Sequence, residues 1–102
     1  MRTFKSGATR DSDNTKYDFE GFLSPLALEA FASYMHENRI QADGSLRDSD
    51  NWQKGIPKSA YMKSMFRHFF AVWKNYRLGK DYKEDLCALM FNVQGLLHEE
   101  LK

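Results

Sequence analysis

Cysteine is nearly missing: Cys87 is the single one among 102 residues. With no partner for an internal disulfide, it excludes a stapled secreted scaffold and fits a reducing cytosol. Net charge is nearly missing as well, since 15 Lys and Arg stand against 14 Asp and Glu for a formal charge of +1. Such a balance gives no reason to expect duplex nucleic acid as a partner, and any anion site has to be local. No apolar run approaches the roughly 18 residues of a membrane span. The polar start Met1-Arg2-Thr3-Phe4-Lys5 lacks the apolar region of a signal peptide. No repeat and no low-complexity tract is visible. These absences predict a soluble, cytoplasmic protein with no membrane partner.

Against them stand 42% hydrophobic and 15% aromatic residues, enough for one packed core, although the mean hydropathy of -0.66 leaves much of the chain wet. A chain of this size buries roughly two-thirds of its unfolded surface, so its core has little excess stability. The expected architecture is all-α: an N-terminal arm over residues 1–23, then a helical domain over 24–102. In the arm, Tyr17, Phe19, Phe22 and Leu23 are apolar enough to dock onto the core.

Ser24-Pro25 predicts a helix start, with serine accepting from orphan amides and proline at the first helical position. That helix runs to about Arg39, with Leu28, Phe31 and Met35 near one face. A long connection follows to Pro57, of a length that compact domains reserve for function or leave disordered; Leu46, Trp52 and Ile56 argue for the former. Met62, Met65, Phe66, Phe69, Val72, Trp73 and Tyr76 then recur at helical intervals up to Gly79. So wide a stripe must be covered on more than one side. A third helix spans about Tyr82 to Leu101, and its Gly95 suggests the close approach of a neighbour.

Candidate chemistry clusters around Asn51-Trp52-Gln53-Lys54-Gly55-Ile56-Pro57 and the aromatic helix behind it. An indole and an ammonium on a tight turn, facing Arg67 and His68, suit something flat and anionic. Gly7-Ala8-Thr9-Arg10-Asp11 offers amides and a guanidinium to a phosphate, or is simply a surface turn. Glu37 opposes the dipole of its own helix, which suggests another reason for its place there, or a solvated glutamate. Asp85 and Asn92 lie two helical turns apart and point nearly the same way, while Glu84 and Asp85 also suit a helix N-terminus. Arg67 reads equally as a snorkelling surface residue, and a lone histidine such as His68 is more often a satisfied core group than a metal ligand.

Taken in this order, Gly7–Asp11, Asn51–Pro57, Arg67-His68 and Glu84–Asn92 resemble the phage and bacterial family of dATP/dGTP diphosphohydrolase N-terminal domains, which is similar in turn to MazG-like all-α nucleoside triphosphate pyrophosphatases. The resemblance implies a purine deoxynucleotide ligand, release of monophosphate and pyrophosphate, and Mg²⁺ held by acidic side chains in the cytoplasm of a phage-infected host. It implies Glu37, Glu84, Asp85 and Asn92 as metal ligands, with Glu37, Glu84, Asp85 and His68 at the chemistry. Arg10, Trp52, Lys54, Arg67 and Asn92 would hold the nucleotide, the cations against phosphate oxygens and the indole against the base. The sequence departs from the MazG-like ExxE pattern, because Tyr34 and Ile40 flank Glu37 at the spacing where a second acid is expected. Fewer acids hold fewer ions. The alternative is a binder without turnover, which sequesters a nucleotide or a nucleotide-derived signal; a blander one is a helical interaction module. Finally, apolar faces this broad predict at least a homodimer, with the Tyr61–Tyr76 helix packed against its symmetry mate.

Overall fold

A computed structural model describes residues 2–10 and 15–102, the side chains of Arg2, Thr9 and Arg10 excepted. The protein is all-α, as the periodicity predicts. The helices are α1 (Phe19–Phe22), α2 (Pro25–Glu37), α3 (Lys58–Arg77) and α4 (Lys83–Leu101), with a 3₁₀ turn at Asn51–Lys54. The arm opens with a two-residue antiparallel ladder, Arg2–Thr3 against Thr9–Arg10. Its turn closes where the Phe4 amide donates to the Ala8 carbonyl at 2.8 Å, with Gly7 at φ 89°. Asp11 lies outside the described residues. No helix among the described residues is long and apolar enough to cross a membrane.

Helix starts follow from local chemistry. Asp18 accepts from the Gly21 amide at 2.9 Å and opens α1, a turn the sequence does not reveal by periodicity because it is only four residues long. Ser24 accepts from the Ala27 amide at 3.2 Å, with Pro25 at the first position of α2. Each cap satisfies a donor that the helix itself cannot.

The core is an antiparallel hairpin of α3 on α4, with α2 laid across α4. It is thin. Tyr61 is 1% exposed and packs between helices against Phe91, ring centroids 5.8 Å apart. Cys87, Ala88, Asn92 and Gly95 are the buried residues of α4. A Cβ placed on Gly95 would fall within the Tyr61 ring, so glycine here is what lets the phenol cross the helix. Met65 and Val72 of α3 are half-buried, but Met62, Phe66, Phe69, Phe70, Trp73 and Tyr76 stay exposed. The expectation that Tyr17, Phe19, Phe22 and Leu23 dock onto the core is not met: all four are exposed, and no helix packs against α1 to the extent that α2 packs on α4. The radius of gyration is 18.9 Å, whereas a self-contained domain of this length has about 13 Å.

Candidate functional site

The long connection is not featureless. Ile40 and Leu46 form an antiparallel bridge around a turn in which Gly44 takes φ 84°. Asp43 holds that turn by accepting from the Ser45 amide at 3.0 Å and its hydroxyl at 2.6 Å, which keeps the Asp43 carboxyl below its usual pKa. The Arg47 amide donates to the Arg39 carbonyl at 2.8 Å, and the Arg39 Nε donates back to the Arg47 carbonyl at 2.7 Å. The Arg39 guanidinium is thereby held at the end of α2 with the Arg47 backbone beside it, and among the described residues neither arginine has an acidic partner.

Behind this hairpin lies a cleft of ≈ 770 Å³, bounded by the end of α2, the 40–54 connection, α3 and α4. That volume lies within the roughly 300–1,000 Å³ range of small-molecule sites. Arg39 and Arg47 line it together with Glu37, Trp52, His68 and Asn92. Trp52 is held by an edge-on contact with His98 of α4, centroids 4.8 Å apart. The Nδ1 of His68 lies 3.5 Å from Asp85 Oδ1, and Asn75 Nδ2 donates to the other carboxylate oxygen at 3.4 Å. Asp85 therefore fixes the imidazole, leaving Nε2 as the ring nitrogen available to the cleft. Asn92, 4% exposed, donates its amide to the Ala88 carbonyl at 2.8 Å, so what it offers the cleft is its carbonyl oxygen. The phenol of Tyr34 also lines the cleft, and its pKa is raised by burial first and by the negative fields of Glu84, Cys87 and Asp85 after that. It remains a hydroxyl donor.

Of the residues singled out by sequence, Glu37, Trp52, His68 and Asn92 thus meet at one cleft, with Asp85 one contact behind His68. Glu84 stands near Tyr34 and does not line the cleft. Lys54 and Arg67 do not line it either: Lys54 is exposed at the end of the 3₁₀ turn, and Arg67 is exposed with its guanidinium donating to Ser64 Oγ at 2.9 Å. The Arg10 side chain lies outside the described residues. Sequence reasoning missed Arg39 and Arg47, although Asp43-Gly44 between Ile40 and Leu46 is a hairpin signal that could have paired them.

The acids do not assemble a preformed metal site. Among the described residues no three His, Cys, Asp or Glu side chains come close enough to hold an ion. Glu37 ends α2, Glu84 stands by Tyr34, and Asp85 is engaged by His68 and Asn75. A magnesium cage of protein atoms therefore does not fit this protomer as it stands.

Two comparisons with known proteins are negative: no curated protein and no solved structure matches the chain. The third is not. Residues 6–102 match the family described as dATP/dGTP diphosphohydrolase, N-terminal, and with nearly the whole chain covered, the protein belongs to that family.

Proposed function

We propose that the cleft binds a purine deoxynucleotide, the ligand that the family's description names. The observation that carries this is the pairing of Arg39 and Arg47, cations without acidic partners, across a cleft from an indole held by its edge. Arg39 and Arg47 would take phosphate oxygens, for which guanidinium forks are suited. Trp52 would stack on the base, worth roughly 1–3 kcal/mol by analogy with single-strand binders. The Tyr34 hydroxyl would donate to phosphate or sugar, while His68, its Nδ1–H turned to Asp85, would accept from a sugar hydroxyl at Nε2. Mg²⁺ commonly binds through one or two carboxylates plus substrate phosphates, so any ion would arrive on the nucleotide, with Glu37 and Asp48 the carboxylates that line the cleft.

Diphosphohydrolysis to monophosphate and pyrophosphate is the fate that the family's description suggests, although the matched region is only its N-terminal part. A second reading, sequestration of a nucleotide or nucleotide-derived signal without cleavage, is favoured by the dispersal of Glu37, Glu84 and Asp85. One experiment separates them. A panel of dATP, dGTP, their ribonucleotides and cyclic dinucleotides is screened for thermal stabilisation and pyrophosphate release, with Mg²⁺ and with EDTA. Stabilisation with release selects the hydrolase, stabilisation alone selects the binder, and no stabilisation by any purine nucleotide removes the proposal.

A further inference from the structure

Two of the apolar surfaces left without a partner among the described residues carry opposite charges. The first is the second stripe of α3. Met62, Phe66, Phe69, Trp73 and Tyr76 recur at four- and three-residue intervals, one position on from the residues that face α4. Phe66 is 70% exposed and its neighbours in the stripe are exposed as well. Helix α3 carries Lys58, Lys63, Arg67, Lys74 and Arg77 and no acid. Lys58 pairs with Glu100, but among the described residues Lys63, Arg67, Lys74 and Arg77 have no acidic partner.

The second surface is residues 17–29, the last part of the arm and the outer side of α2 that continues it, a stretch with three acids and no Lys or Arg. Tyr17, Phe19, Phe22 at 79% and Leu26 at 84% exposed stand with Asp18, Glu20 and Glu29 among them. Neither Glu20 nor Glu29 has a basic partner among the described residues. This segment is helical and capped, yet leaves its aromatic side chains in water.

We propose that the acidic, aromatic segment 17–29 of a second copy of this chain covers the basic, aromatic stripe of α3, and that the exchange is reciprocal. Area argues for a second copy. The chain exposes 8618 Å², whereas a self-contained monomer of 12.0 kDa exposes about 6,000 Å². The surplus of roughly 2,600 Å² per chain, about 5,200 Å² over two chains, lies at the upper end of what obligate interfaces remove, about 2,000–5,000 Å² or more counted over both partners. Charge selects the arm over the simpler pairing of α3 with its own symmetry mate, which would set Lys63, Arg67, Lys74 and Arg77 beside their own copies. Reciprocal exchange about a two-fold axis closes the assembly with one kind of contact. The arrangement owes nothing to the contents of the cleft.

The test is the mass of the full chain by light scattering at tens of micromolar, for the natural sequence, for Glu20→Lys with Glu29→Lys, and for that variant combined with Lys63→Glu and Lys74→Glu. All four positions are exposed and outside any cap, and circular dichroism reports whether the helices persist. The proposal expects a multimer, its loss in the arm variant with helicity retained, and its recovery when α3 is reversed in sign as well. A 12.0 kDa monomer of the natural sequence overturns it, including one that co-sediments with anionic vesicles, which would give the basic face of α3 to lipid. A multimer unmoved by the arm variant also overturns it and assigns the contact to the Leu86, Met90, Val93 and Leu97 side of α4.

Discussion

At the scale of single residues, stability rests on very few groups, and Tyr61 is the chief of them. Its ring occupies the notch left by Gly95, while its hydroxyl is buried with no hydrogen-bond partner among the described residues. Gly95→Ala therefore forces the ring out of place. The expected cost is about 1–3 kcal/mol of overpacking, exceeding the roughly 0.5–1 kcal/mol of helix propensity that alanine returns; urea denaturation measures the difference. The unpaired hydroxyl makes Tyr61→Phe neutral or stabilising, since nothing is left unsatisfied by its removal. Burial raises the pKa of Tyr61 above its ordinary 10.0, with a further push from Glu99, and Tyr34 is raised by burial as well. A phenol whose folded pKa is raised binds its proton more tightly folded than unfolded. Stability is thus intact below the ordinary value and falls as pH rises through it. Melting curves between about pH 9 and 11 should show that fall, and it should be shallower in a variant combining Tyr34→Phe with Tyr61→Phe. A slope identical in the two proteins would contradict this.

At the scale of elements, the connection between α2 and α3 carries the functional argument. Its Gly44 is at φ 84° with open space around the position of a Cβ, so a side chain there meets no neighbour but strains the backbone. Gly44→Ala should cost about 1 kcal/mol locally and disturb the Arg39–Arg47 pairing. The expected outcome is several-fold weaker nucleotide binding with the melting temperature lowered by no more than about 4–8 °C; undiminished affinity would show that the hairpin does not position the site. The long helices were legible because each repeats an apolar pattern over many turns: α2, α3 and α4 begin and end within about two residues of where the pattern places them. Helix α1 was not, since four residues give no period, and only Asp18 three residues before Gly21 hinted at its cap. The cleft was legible in half. Trp52 and His68 stood out by chemical type, whereas Arg39 and Arg47 meet only through a non-local backbone pair. Lys54 attracted attention by adjacency to Trp52, yet the two side chains of a 3₁₀ turn leave it in different directions, and only Trp52 reaches the cleft.

At the scale of the whole molecule, the chain extends over 58 × 37 × 27 Å, and its three long helices bury little more than one shared seam. The wide stripe on α3 was expected to need cover on more than one side, and α4 supplies only one of them. A protein whose fold is completed by a second copy melts at a temperature that rises with its own concentration. Scanning calorimetry over a hundredfold range should show this, and a concentration-independent midpoint would speak against assembly. The central claim, however, is that the cleft beside the Arg39–Arg47 pair holds a purine nucleotide. The most direct measurement is calorimetric titration of dATP and dGTP into the natural protein, into Arg39→Ala with Arg47→Ala, and into Lys54→Ala with Arg67→Ala, each with and without EDTA. The account predicts saturable binding that the first variant weakens roughly ten- to a hundredfold, far more than the second does, and that survives EDTA. No heat with either nucleotide, or a loss that falls on Lys54 and Arg67 while the Arg39 and Arg47 variant binds normally, would contradict it.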